Sequence, residues 1–368
     1  MKHVFIRHIA LILLLTSCYE PYFADTDLEN SVLVVNGMIT DETVPYYIRL
    51  SYATSCNSGE IRQPVGSATV FVTDTLDNNY LFRESTSGDY ISDPAEFAGI
   101  PGNIYTLHII TKEGVSYMSE PQLLNPEVYP DSVYAAYDFR ETLDNSTGLK
   151  VTKSGADILI DIRNNTDTLL RFRYTSDLVI QYLYVIEIDY QPPMYFYCWQ
   201  TCDANSDINI TGEKYNTSTV SINKHVVCFI EDADHCYAKT YIYGSSGAFE
   251  TDYYQFFEVY NRIIYVHQYA LNSEAYDYYK SMDEQLRSEG KIFDPIAVQL
   301  YGNINCITNP GLKALGFFEA SSVSDFAYKV DFRNLDNDQP SLTQVPYILP
   351  DAYNGCLIDA VPPFWVNK

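Results

Sequence analysis

Tyr105-Thr106-Leu107-His108-Ile109 is the stretch that decides the fold. Apolar residues sit at every second position, so Tyr105, Leu107 and Ile109 share one face of a strand and His108 points the other way. That makes His108 a surface histidine rather than a ligand. The same signature recurs on both sides. Val32–Ile39, Tyr46–Ser51, Ala68–Thr73, Tyr80–Glu84, Tyr90–Ser92, Ile104–Thr111 and Val115–Ser119 are short runs rich in Val, Ile, Tyr and Thr. Turn signals separate them: Thr40-Asp41-Glu42, Leu76-Asp77-Asn78-Asn79, Ser87-Gly88-Asp89, Pro101-Gly102-Asn103 and Glu113-Gly114. Short strands at this spacing predict an immunoglobulin-like or transthyretin-like β-sandwich over residues 31–120.

Pro121 to Pro130 reads as a stiff, extended linker, because each proline restricts itself and the residue before it. Residues 131–368 then form a larger β-rich C-terminal domain. Ile158–Arg163, Leu169–Ser176, Val179–Asp189, Met194–Trp199 and Phe256–Tyr269 are its strand candidates, with Tyr265, His267 and Tyr269 on one face. One segment has helical spacing, over about residues 272–289. Asn272-Ser273 can cap it, Glu274 suits the first turn, and Ala275, Tyr279, Met282 and Leu286 form a stripe to pack on a sheet. Gly290 is placed to end it. Asp277, Lys280, Asp283 and Arg287 fall on the wet side. The fold class is mainly β.

At the other end, Lys2 and Arg7 precede the apolar run Ile9–Leu15, and Leu15-Thr16-Ser17-Cys18 follows. The run is too short to cross a bilayer as a helix and reads as a secretory signal over residues 1–17. Its small residues before Cys18 fit a lipobox, in which Cys18 is acylated and anchors the chain in outer-membrane lipid. Cleavage elsewhere would leave an ordinary secreted protein. Residues 18–30 are an acidic tether. The net charge of -25 repels nucleic acid and suits a solvated envelope surface.

Export makes disulfides the expectation for the remaining cysteines. Cys198, Cys202, Cys228 and Cys236 are expected to staple one two-stranded region, with their connectivity left open by the sequence, and Cys306 and Cys356 to tie the tail to the core. Cys56, alone in the first domain, is the unpaired candidate.

Further motifs carry a family resemblance. Tyr265-Val-His-Gln-Tyr-Ala-Leu-Asn-Ser-Glu-Ala-Tyr276, Phe293-Asp294-Pro295, Gly302-Asn303-Ile304 and Leu315-Gly316-Phe317-Phe318 follow one another at the spacing of a known pattern. Leu33-Val34-Val35-Asn36-Gly37 and the closing Pro363-Phe364-Trp365 extend the match. The chain resembles the Bacteroidota lipoproteins grouped as domain-of-unknown-function family 4249. That resemblance implies an outer-membrane lipoprotein encoded beside TonB-dependent receptors of the SusC type, without catalytic residues to carry over. The shared motifs have plain readings. Phe293-Asp294-Pro295 and Gly302-Asn303 look like turn chemistry, with asparagine bonding nearby backbone and glycine allowing positive φ.

Chemistry is sparse. No G-x-S-x-G elbow, H-E-x-x-H pair or phosphate-cradling loop is present, and Gly244-Ser245-Ser246-Gly247 lacks the strand-to-helix context of a nucleophile turn. Asp232, Asp234 and His235 could take a divalent ion, but a polar loop closed at Cys236 explains them more simply. No cofactor is expected. Asp74-Thr75-Leu76, Asp131-Ser132-Val133 and Asp167-Thr168-Leu169 resemble Asp-[Ser/Thr]-apolar O-glycosylation sites of Bacteroidota, making Thr75, Ser132 and Thr168 candidates. The 34 tyrosines are the compositional outlier, and exposed ones suit glycan stacking or a protein interface. These readings favour a non-catalytic accessory or ligand-binding partner of a TonB-dependent transporter, with a glycan or peptide as ligand. An assembly subunit of an envelope complex is the alternative, and a hydrolase the least favoured reading.

Overall fold

The computed structural model describes residues 32–53, 63–144, 147–163, 169–188, 192–203, 208–211, 221–231, 242–246, 251–287, 300, 302–312 and 314–330. Nine strands come first: β1 (Leu33–Ile39), β2 (Tyr47–Tyr52), β3 (Gln63–Pro64), β4 (Thr69–Thr73), β5 (Asn79–Thr86), β6 (Asp89–Ile91), β7 (Ile104–Ile110), β8 (Ser116–Ser119) and β9 (Gln122–Leu123). Then follow β10 (Ser132–Leu143), β11 (Lys150–Arg163), β12 (Phe172–Ile188), β13 (Met194–Asp203), β14 (Asn209–Ile210), β15 (Ser221–Glu231), β16 (Ile242–Ser246) and β17 (Thr251–Ala270). The helix α1 (Ser273–Leu286) precedes β18 (Ile304–Cys306), β19 (Ala314–Ala320) and β20 (Ser322–Val330).

The first nine strands do not make a closed unit of their own. They belong to an 11-stranded sheet whose order is β18-β8-β7-β4-β5-β6-β2-β1-β19, with β3 on β2 and β9 on β7. β19 pairs with β1 in parallel, and β18 pairs with β8 antiparallel. The expected domain over residues 31–120 is corrected on this point: its sheet is completed at both ends by strands from beyond residue 300. Where a sandwich was anticipated, the strands form one nearly closed sheet around a single core of Leu33, Val35, Ile48, Leu50, Val70, Leu107, Ile109 and Phe318. Strand periodicity explains the arrangement. Tyr105, Leu107 and Ile109 are all buried inside, while His108 faces outward and stacks on Phe71 at 4.7 Å.

The two ends of the sheet order meet through a side chain. The Asn303 amide donates to Phe318 O at 2.8 Å and accepts from Phe318 N at 2.9 Å, copying a strand partner's pair of bonds. Such an approach demands glycine. A Cβ on Gly302 would lie 1.4 Å from Gly316 O, and one on Gly316, at φ +88°, would lie 1.9 Å from Val35 O. The turn reading of Gly302-Asn303 is thereby corrected. Asn303 bonds a backbone that is distant in sequence, and the positive φ belongs to Gly316.

The second body is a true two-layer sandwich. β10-β11-β15 form one sheet, and β13-β12-β17-β16 with β14 and β20 form the other. Ile158, Ile160 and Ile230 of the first pack on Phe172, Ile180, Ile264 and Val266 of the second. Leu169–Ser176 and Val179–Asp189 were expected as separate strands but merge into β12. Only Ser321 separates β19 from β20, so one nearly continuous extended course joins the two bodies.

Pro121–Pro130 is correspondingly no free linker. Gln122 lies in β9 and Leu124 is buried in the first core. Gln122 Nε2 donates to Glu274 at 2.7 Å and its Oε1 accepts from Asn272 at 2.8 Å, while Asn125 donates to Leu271 O at 2.8 Å. Gln268 also donates to Val128 O. The motif Gln268–Tyr276 thus clamps the connection.

α1 starts as expected. Asn272 Oδ1 accepts from Ala275 N at 2.8 Å, capping an otherwise unpaired donor. Ala275 and Tyr276 are buried, but Leu286 at the far end is exposed and the cap falls at Arg287, short of Gly290. The anticipated stripe therefore leaves the sheet in its last turn.

Candidate functional site

Charged and aromatic groups concentrate where the two bodies meet, on the outer face of the larger sandwich sheet. β17 presents Tyr265, His267 and Tyr269 there, as the alternation required. Register adds Arg173, Thr175 and Asp177 from β12, and Val323, Asp325 and Ala327 from β20.

The inner part of this strip is sealed. The Arg173 side chain is 14% exposed and Glu319 only 2%, with the ion pair at 3.2 Å. Arg173 lies between two rings, 4.1 Å from the Tyr269 centroid and 4.8 Å from that of Tyr279. Tyr279 donates to Glu319 at 2.6 Å, and Arg173 reaches Met38 Sδ at 3.4 Å. Burial by itself would lower the guanidinium's pKa, but Glu319 and the two tyrosines reverse the effect and raise it. Residues from β1, β12, β17, β19 and α1 are joined here by one buried charge pair.

The outer part is half-buried and titratable. His267 Nδ1 and Asp325 Oδ1 lie 2.7 Å apart, and Tyr265 donates to the other Asp325 oxygen at 2.8 Å. The hydrogen bond to Asp325 raises the His267 pKa against the opposing effect of burial. Across the seam stands the turn after β1. There Asp41 Oδ1 accepts from Val323 N at 2.9 Å, and Tyr46 donates to Thr40 O at 2.5 Å and to Glu42 O. Burial raises the Glu42 carboxyl's pKa, the neighbouring Asp325 adds to this, and His267 opposes it. Chemically, the seam sets one imidazole among the carboxylates of Asp325, Asp177 and Glu42. Among the described residues, the groups that face His267 here are carboxylates, phenols and Thr175.

The other candidate residues do not converge on this seam. Thr75 is exposed in a turn whose Asp74 carboxylate accepts from Leu76 N, Asn78 N and Tyr80. Ser132 is exposed and donates to Asp161 at 3.0 Å. Thr168, Cys18, Cys56, Cys236, Cys356, Asp232, Asp234, His235 and Phe293-Asp294-Pro295 lie outside the described residues. Among the described residues, no group of three or more His, Cys, Asp or Glu side chains could hold a metal ion.

The cysteine expectation needs correction. Cys228 and Cys306 are buried free thiols. Cys198 and Cys202 lie on β13 of one sheet, whereas Cys228 lies on β15 of the other, so they do not share a two-stranded region. Residues four apart in one extended strand are also roughly 13 Å apart, beyond the reach of a mutual bridge. Burial pushes the Cys228 thiol up to about 12.

Arg173 and Glu319 were not anticipated. Glu319 is the one charged residue of β19 and Arg173 the one cation of β12, and no local pattern pairs residues 146 positions apart. A nearly closed sheet joined to a β-sandwich through a sealed charge pair defines a mainly β, two-body protein, in which Gln268–Tyr276, Gly302-Asn303 and Leu315–Phe318 serve the architecture. The family model described as a domain of unknown function, DUF4249, matches residues 19–327, and the chain belongs to that family. No curated protein and no solved structure matches the chain.

Proposed function

We propose that the protein is a non-catalytic, lipid-anchored component of the outer-membrane surface that acts as an accessory or ligand-binding partner of a TonB-dependent, SusC-type transporter. The observation that carries this reading is Leu15-Thr16-Ser17-Cys18 behind a short apolar run, which supplies an anchor without a spanning helix. No helix among the described residues is long and apolar enough to cross a membrane. The family motifs support the reading from a second side. Gln268–Tyr276, Gly302-Asn303 and Leu315–Phe318 are absorbed in clamping and closing the fold, which is what a binding scaffold needs. Exposed tyrosines suit a glycan or peptide ligand.

Two measurements test this. Cys18→Ser should release the protein from membranes, and persistent anchoring would refute lipidation. Affinity purification from membranes should recover a TonB-dependent barrel. Recovery of an envelope assembly without such a barrel would favour a structural subunit instead. Intact-mass measurement of the native chain tests glycosylation at Thr75, Ser132 and Thr168, and a mass equal to polypeptide plus lipid would remove all three.

A further inference from the structure

A polar row crosses the inner face of the larger sandwich sheet, at the end nearer the first body. Register sets Asn209 of β14 opposite Tyr174 of β12, Tyr174 opposite Gln268 of β17, and Gln268 opposite Ser324 of β20. Alternation turns these side chains toward the core that Phe172, Val266 and Ala270 share. Tyr174 is only 2% exposed, and Gln268 and Ser324 only 1% each. Polar groups this deep are destabilising unless each finds a hydrogen-bond partner.

Most of the polar groups here are already engaged. Asn209 Nδ2 donates to Val226 O at 3.0 Å and to Val227 O, which leaves its Oδ1 as the acceptor. His225 Nε2 lies 2.8 Å from that oxygen and is therefore the donor, so the imidazole of the opposite layer is fixed in one tautomer. Gln268 Nε2 donates to Val128 O, and Ser322 Oγ donates to Asn125 O. Two buried groups of the row have no hydrogen-bond partner: the Tyr174 hydroxyl and Gln268 Oε1. The tyrosine ring packs 5.0 Å from the His225 ring, and burial keeps its phenol protonated by raising its pKa far above the ordinary value.

The two groups are complementary neighbours that do not bond each other. Tyr174 offers a hydrogen, and Gln268 offers a lone pair because its amide nitrogen is taken by Val128. Whatever joins them accepts from the first and donates to the second. It is neutral, since the row consists of amides and hydroxyls, and burial pushes the His225 pKa down to about 4. An ion here would lose its hydration without gaining a counter-charge. It is also small, because the row lies inside a packed core. Water meets all three conditions, and internal waters are held by two to four such polar partners. The Ser324 hydroxyl, opposite Gln268, stands next in the row as a third.

We propose that the sandwich interior binds an ordered water that accepts a hydrogen bond from the Tyr174 hydroxyl and donates one to Gln268 Oε1. Gln268 also holds Val128, so this water carries the clamp on residues 121–130 across to β12 in the core. The inference stands on the fold alone and is independent of the lipid-anchored reading above.

The test uses the full chain in detergent. A high-resolution crystal structure should show a water within about 2.7–3.2 Å of both Tyr174 Oη and Gln268 Oε1. A direct bond between these two atoms, a different protein partner for Tyr174 Oη, or a dry site would overturn the inference. In solution, relaxation dispersion of the water signal counts long-lived internal waters. Tyr174→Phe should lower that count by one. Tyr265→Phe, whose hydroxyl serves Asp325 on the outer face, should leave it unchanged. An unchanged count in Tyr174→Phe, or an equal drop in Tyr265→Phe, would place the long-lived waters elsewhere and sink the site. The crystallographic reading needs no substitution, so it decides the question even where Tyr174→Phe fails to fold.

Discussion

Single residues decide whether the two bodies close and join. Gly316→Ala sets a Cβ against Val35 O in a backbone conformation that disfavours side chains, and Gly302→Ala drives one into Gly316 O. Neither clash can be relieved by rotating a side chain. Each substitution should destabilise the chain by about 3 kcal/mol or more, read from chemical denaturation. A loss below about 1 kcal/mol would mean the sheet ends are not held this tightly. Arg173→Met leaves the Glu319 carboxylate buried beside Tyr279 without its counter-charge, at a cost of about 3–5 kcal/mol. Arg173→Met combined with Glu319→Gln should recover part of that loss, and strict additivity would show the pair to be uncoupled.

His267 and Glu42 set the pH response of the seam. His267 has a folded pKa above its unfolded value, so its contribution is complete below about pH 6.5 and is lost as pH rises through the folded value. Glu42, also raised, contributes in the same direction. Asp325 is lowered: its hydrogen bonds from His267 and Tyr265 outweigh the raising effect of burial, and its contribution fades only in acid. Melting temperature should therefore fall from mildly acidic to mildly alkaline pH, and His267→Gln should flatten that slope. An unchanged slope in the variant would remove His267 from the seam's titration.

Elements are tied to one another by polar clamps rather than by length of contact. α1 docks through Asn272 and Glu274, and both are held by Gln122 of β9. Gln122→Ala leaves two polar groups at the helix start without that partner. It should cost about 1–3 kcal/mol and raise hydrogen exchange in the first turn of α1. Unchanged exchange there would show that the clamp is incidental. The helix was legible from its cap and spacing, but its clamp was not, because Gln122 is about 150 residues away in sequence.

At the scale of the molecule, residues 32–130 should not fold alone. Without β18 and β19, the edges of β8 and β1 are open and Phe318, Ala314 and Ile304 are missing from the core. The isolated fragment should give a collapsed amide spectrum, while the full chain gives a dispersed one. A cooperative melt of the fragment would restore the independent domain that the sequence suggested.

The sequence by itself determined the local structure. Alternation placed β1, β2, β4, β7 and β8 within a residue or two, because burying one face of a strand imposes a period of two on that strand alone. The Asn272 cap and the outward His108 followed from equally short-range rules. Only the tertiary structure decided which strands became neighbours: the parallel β1–β19 pair, the Asn303 bridge, the merging of two predicted strands into β12, and the separation of Cys198 and Cys202 from Cys228. Hydrogen-bonding edges of strands carry no residue code for their partner. The selection of β19 for β1 rests on the close approach of Gly302, Gly316 and Val35, and the meeting of Arg173 with Glu319 follows from that approach.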